Sequence, residues 1–212
     1  MTRPFGKQLR VVFGETVTEL GARDPRVVVL DGDLGSSTQA RLFEDAYPER
    51  YYQMGIAEQN MLGVAAGMAK AGLVPFISTF VAFALHRPLD QIRVLIAQTG
   101  ANVNITAGYC GLFTGKAGKT HQIVDDISIA RAMPGMVVVS PADEVEAKEV
   151  MAWSLEYDGP VFIRFVRDVT QTLFEPGHRF QFGICLLYTS PSPRDHLAHR
   201  VCRLLLEKGG GG

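Results

Sequence analysis

Short runs of β-branched and apolar residues alternate along the chain with longer stretches in which apolar positions recur every three to four residues. Uninterrupted apolar runs suit strands covered on both faces, and the longer period suits amphipathic helices. Strands are predicted at 27–31, 50–54, 74–78, 102–106, 136–140 and 161–165, and helices at 7–22, 39–46, 58–71, 83–98, 125–133 and 143–157. Strand and helix in alternation give crossover units. The expected class is α/β, a mostly parallel sheet with helices on both faces.

The rhythm lapses after residue 183, where Thr189-Ser190-Pro191-Ser192-Pro193 can continue neither a helix nor an inner strand and the chain closes on four glycines. We therefore expect one domain over 1–183 and a non-homologous tail over 184–212, disordered or an assembly artefact, with no chemistry of its own.

A hydrophobic share of 47% against 20% charged residues is the balance of a packed globular protein. Lys and Arg total 21 against 22 for Asp and Glu, so no overall field draws the chain to nucleic acid or to an anionic membrane. No apolar stretch has the length of a bilayer span or a leader, which leads us to expect a cytoplasmic protein. Cys110, Cys185 and Cys202 are too few and too scattered for a disulfide framework or a zinc site.

Four stretches carry candidate chemistry. Gly55-Ile56-Ala57-Glu58-Gln59-Asn60 places a carboxyl where a strand passes into a helix. Phe80, Phe83 and His86 fall three apart, a spacing at which side chains on adjacent helical turns can share a face. His121 sits in the polar loop Gly118-Lys119-Thr120-His121-Gln122, where an imidazole can be presented to a ligand. Arg10 and Arg167 are permanently charged, forked donors, and Ser37 lies in the loop after the first strand. Taken singly these have plainer readings: an acid favoured by a helix N-terminus, an aromatic stripe in a core, solvated arginines.

Together, VVVLDGDLGSST from Val27, YYQMGIAEQNMLGVAAGMAKAG from Tyr51, STFVAFALHRPLDQIR from Ser78 and GKTHQIVDDISIARAMPGMVVVSPAD from Gly118 resemble the pyrimidine-binding, central domain of transketolases, above all the C-terminal subunit of the split, two-chain enzymes. The similarity spans roughly residues 7–183, in the family's order and spacing. It implies the thiamine-diphosphate-binding fold, and a chain that transfers a two-carbon ketol unit between sugar phosphates. In the family the glutamate matching Glu58 hydrogen-bonds a ring nitrogen of the cofactor's aminopyrimidine and switches the cofactor on by proton relay. Phe83 falls where the pyrimidine stacks, Phe80 walls the same pocket, and His86 stands where an aromatic residue is often found. His121 matches a histidine that meets the sugar; Arg10, Arg167 and Ser37 match groups on its hydroxyls or phosphate. Asp33 is expected to fix the loop after the first strand or to approach the cofactor. The reading requires that Glu58 and Phe83 face one pocket.

The sequence also departs from the family. Lys116 and Ala117 stand where an acidic pair is common, and Tyr109 stands where a second histidine is expected, which opens the question of substrate. The Gly-Asp-Gly and Asn-Asn segment that holds Mg2+ and diphosphate does not occur in this sequence, so a separate N-terminal, diphosphate-binding subunit is expected to bring it. Self-association is a further expectation, implied by the resemblance alone, with the small residues Gly63, Gly67 and Gly72 as its seam. They mark a slim helix surface, first of all for close packing. The alternatives are a 1-deoxyxylulose-5-phosphate-synthase-like carboligase component, a non-catalytic assembly module, and a nucleotide-binding α/β protein. The last lacks a glycine fingerprint after its first strand.

Overall fold

The computed structural model describes residues 3–112 and 114–183. The expectations for the tail 184–212, with Cys185 and Cys202, lie outside the described residues.

Eight strands and eight α-helical segments follow one another in the order β1 Phe5–Gln8, α1 Leu9–Arg23, β2 Val27–Asp31, α2 Gly35–Thr38, α3 Arg41–Ala46, β3 Tyr51–Gln53, α4 Glu58–Lys70, β4 Val74–Phe80, α5 Val81–His86, α6 Leu89–Gln91, β5 Asn104–Gly108, α7 Asp126–Arg131, β6 Val137–Val139, α8 Glu144–Glu156, β7 Val161–Arg164 and β8 Val169–Gln171. Six strands form one parallel sheet, ordered β3-β2-β4-β5-β7-β6. Every residue of β2 and of β4 is buried, the apolar runs Val27–Leu30 and Val74–Ile77 together with the polar Asp31, Ser78 and Thr79 at their C-terminal ends.

Successive strand residues point to opposite faces, and the core divides accordingly. Val28, Leu30, Ile77, Ile105 and Phe162 pack with Met61, Leu62 and Ala65 of α4 and with Ile92 and Ile96. Val27, Val29, Phe76 and Ile163 pack with Leu9, Phe13 and Val17 of α1 and with Val150 and Met151 of α8. Each such fully buried side chain contributes roughly 1.5–3 kcal/mol, so both helical layers are fastened along their length. Gly14 lets α1 lie close to the α2–α3 junction: a β-carbon there would stand 2.3 Å from the Gln39 carbonyl oxygen.

The structure corrects several expected elements. Residues 5–8 are not the lead-in to a helix but a strand that pairs antiparallel with 169–171 in a separate two-stranded ribbon. Neither FGKQ nor VTQ carries an alternating apolar signal, because neither lies over the core. The helix expected at 39–46 begins only at Arg41, because Gln39 adopts a left-handed φ of 68° that closes the short α2 before it. The single helix expected at 83–98 becomes α5, α6 and a π-helical stretch over Ile92–Ala97, since Pro88 has no N–H to carry the ladder through. Close packing on the glycines of α4 is not found among the described residues: none of them comes within 4 Å of a β-carbon built on Gly67, and among them only the Leu95 side chain, at 3.9 Å, approaches one on Gly63. Among the described residues no helix is long and apolar enough to cross a membrane.

Candidate active site

Because all six strands run the same way, their C-terminal ends share one edge, where loops leave the sheet and ligands bind in open α/β folds. Glu58 follows β3, Ser37 follows β2, Phe80 ends β4 and Phe83 follows it, Tyr109 follows β5 and Arg167 follows β7. Residues scattered over 130 positions thereby meet.

Gly55 turns the chain with a left-handed φ of 67° and delivers Glu58 as the first residue of α4. Its carboxyl is 2% exposed, and Oε1 accepts a 2.6 Å hydrogen bond from Arg87 Nη1. The same guanidinium lies 4.1 Å above the centre of the Phe83 ring. Acid and phenyl therefore face one slot, with a flat cation between them. From Phe83 the aromatic surface continues: Phe80 stacks on Phe83 at 5.8 Å and on Tyr109 at 3.9 Å. His121 sets its edge against both phenylalanines, at 5.0 Å from Phe83 and 5.9 Å from Phe80. Gly118, with φ 73° and ψ −172°, adopts a conformation open only to glycine and turns that loop; the Gly118 carbonyl accepts from His121 N, and Thr120 Oγ1 lies 2.9 Å from His121 Nδ1.

Beyond Tyr109 the surface becomes cationic. The Tyr109 hydroxyl and Arg10 Nη1 both donate to the Ser37 carbonyl at 3.4 Å, and Arg167 stands 5.6 Å over the Tyr109 ring. Ser37, Phe80, Tyr109, Lys116, His121 and Arg167 line a cleft of ≈ 620 Å³. Tyr109 has a left-handed φ of 65°, rare for a bulky side chain, so the end of β5 is held in tension where the cleft begins.

Two expected members lie elsewhere. His86 does not extend the Phe80–Phe83 stripe: its Nε2 lies 3.0 Å from Asp125 Oδ1, and His121 completes the aromatic group in its place. Arg87, four residues after Phe83, occupies the helical position that overlies the ring. Asp33 exposes its side chain and does not fix the loop; only its backbone N–H is held, by Gln53 Oε1 at 3.1 Å. The anchor is Asp31, fully buried, whose Oδ2 accepts from the N–H groups of Leu34 and Gly35 and whose Oδ1 accepts from Ser78 Oγ at 2.7 Å. Ser78 in turn meets Thr38 Oγ1 at 2.7 Å. Burial, with the neighbouring Asp31 carboxylate, pushes the Tyr51 phenol well above its usual range. Among the described residues no group of three or more His, Cys, Asp or Glu side chains is arranged to hold a metal ion.

A six-stranded parallel sheet with a buried acid and a stacked phenyl at its carboxyl edge defines an α/β protein of the thiamine-diphosphate-binding fold. The chain belongs to the transketolase family: residues 6–172 match the family model described as "Transketolase, pyrimidine binding domain". It is 43% identical over 178 residues to a Methanocaldococcus jannaschii protein described as a transketolase C-terminal section, covering 84% of this chain and 56% of that one. It is 35% identical to a 6-deoxy-6-sulfo-D-fructose transketolase subunit of a Clostridium species, covering 86% and 58%. A solved structure titled "Split gene transketolase, inactive beta4 tetramer" superposes with a TM-score of 0.76 at 40% identity, over 84% of this chain and 58% of that one. The chain thus spans little more than half the length of these relatives.

Proposed function

We propose that this chain supplies the pyrimidine-binding half of a thiamine-diphosphate site, completed by a second chain that brings Mg2+ and the diphosphate contacts, and that the assembled pair moves a two-carbon ketol unit between sugar phosphates. The observation that carries this is the slot between Glu58 and Phe83: a planar cation bearing N–H groups already lies over the phenyl ring and donates to the buried acid. An aminopyrimidine is likewise planar and can meet the same phenyl face and the same carboxyl, so the residues present fit the cofactor.

When bound, thiamine diphosphate supplies a carbon nucleophile for a ketose carbonyl. The chain's own residues do the rest. Glu58 exchanges a proton with a ring nitrogen, and its burial keeps water from competing for that hydrogen bond. Phe83 fixes the plane of the ring, with Phe80 and Tyr109 continuing the wall. His121, at the junction of wall and cleft, is placed to pass a proton at a sugar hydroxyl. Arg10, Arg167 and the Ser37 loop hold the anionic end of the sugar, and Lys116 adds a cation where relatives of the wider family carry acids. That excess of positive charge, together with a relative named for a sulfonated sugar, supports a more acidic sugar as substrate.

The names of the relatives, a C-terminal section and a subunit, support a partner chain. The titled β4 tetramer, described as inactive, supports self-association in the partner's absence. The exposed small-residue face of α4 is available for such a contact. A domain over 1–183 remains part of the proposal.

Co-expression with an N-terminal transketolase-type chain tests the reading. Ketol transfer, assayed with added thiamine diphosphate and Mg2+, requires both chains, and Glu58→Ala lowers kcat at least about 10²-fold, the usual share of a general acid–base. Turnover by this chain unaided would refute the shared site.

A further inference from the structure

Arg87 sits in the Glu58–Phe83 slot, and no step of the proposed function gives it a role. Its backbone is held, since its carbonyl accepts a 3.1 Å hydrogen bond from Gln59 Nε2. Its side chain is not: 43% of it is exposed, while Glu58, which it touches, is buried. The guanidinium reaches in from solvent, sits 4.1 Å over the centre of the Phe83 ring and donates at 2.6 Å to Glu58 Oε1. Those are the two contacts that a pyrimidine in this slot would make. A face of one phenyl ring and one carboxylate oxygen cannot serve two planar groups at once. A buried acid left without a partner is costly, so an empty slot also needs an occupant.

We propose that Arg87 is a resident placeholder: it fills the pyrimidine slot of the cofactor-free chain, satisfying Glu58 and covering Phe83, and swings out to solvent when the ring enters. The inference rests on the functional reading above and adds to it a competitor built into the chain. Its exposed stem and fixed backbone let the side chain leave by rotation about its own bonds, with α5 and α6 unmoved. The consequence for binding is a tax. The apparent affinity for the ring is reduced by the fraction of chains in which Arg87 is seated, and removing the side chain restores it.

Thiamine is the probe, because it carries the pyrimidine without the diphosphate that calls for a partner. In the full chain with 15N-labelled arginine, the Arg87 Nε–Hε signal is assigned by its disappearance in Arg87→Lys. We expect that signal to be shifted by the Phe83 ring current in the free chain and to move to the position of an exposed arginine as thiamine saturates. We also expect Arg87→Ala and Arg87→Met to bind thiamine roughly five-fold more tightly than wild type. The wild-type spectrum keeps the test decisive even if Arg87→Ala folds poorly. A merely structural arginine would leave affinity unchanged or weaken it. Thiamine binding that is lost in Glu58→Ala and in Phe83→Ala but leaves the Arg87 signal ring-shifted, or is no tighter in Arg87→Met, overturns the placeholder alone. Thiamine that binds none of these chains overturns the cofactor site and the placeholder with it.

Discussion

Cys110 follows Tyr109 at the end of β5 and is buried, with the Arg164 guanidinium and the Asp126 carboxylate nearby. Burial, the dominant cause, pushes its thiol up to about 11. An unfolded thiol titrates near about 8.5, so the folded state keeps the proton where the unfolded state has released it. Stability is therefore complete below that value and declines as pH rises from about 8.5 toward 11. Iodoacetamide at pH 8 should leave Cys110 unmodified in the folded chain and alkylate it once urea is added; rapid native labelling would refute the burial. Lys116 is the opposite case, exposed on the cleft rim. With the assembled pair, Lys116→Glu should lower kcat/KM for the most highly charged sugars by about tenfold relative to neutral ones; an unchanged order of preference would remove its role in selection. At this scale the sequence was legible where a motif fixed position and obscure where two neighbours compete. Glu58, Phe80, Phe83 and His121 do meet at one edge. Three-residue spacing proposed His86 as the next member of the stripe, but Asp125 draws its ring away and Arg87, one residue later, takes the place over Phe83. Likewise Asp31 and Asp33 are two residues apart in one short run, and only the fold shows that the buried one ties the loop.

Helix α8 shows how an element is pinned at its start. Asp143, fully buried, caps it by accepting from Glu146 N at 2.8 Å, and Glu146 reaches back to accept from Ala142 N at 2.7 Å. The second carboxylate oxygen of Asp143 accepts from Leu173 N and Phe174 N at 2.6 and 2.8 Å, tying the segment after β8 to the same helix. Asp143→Ala removes a cap and leaves two backbone donors without a partner, a loss of about 2–4 kcal/mol. Urea unfolding should show a lower midpoint for this variant, with Asp143→Asn in between; equal midpoints would mean the donors find water. Elements with an apolar face were readable within a few residues, as for α1, α4 and α8 and the six sheet strands. Those defined by backbone geometry were not: the left-handed Gln39 and the β1–β8 ribbon lack an apolar period that could announce them, and the apolar period of Ile92–Ala97 reads as ordinary α-helix whichever way its hydrogen bonds run.

On the scale of the whole molecule, the parallel sheet gathers Ser37, Glu58, Phe80, Phe83, Tyr109 and Arg167 onto one edge, and the α/β class follows from the alternation of runs alone. What alternation could not give is strand order. That β3 lies outside β2, so that Glu58 enters beside the loop of Ser37, depends on pairings between segments far apart in the chain. The ribbon has an effect at this scale as well. Since Phe5 pairs with Gln171 and the Pro4 carbonyl accepts from Thr172 N, the segments that lead into and out of the fold lie side by side. A module whose two ends adjoin behaves as a cassette: spliced between other domains, or circularly permuted through a short linker from residue 173 to residue 4, it would keep its sheet and its slot without any strand having to change places.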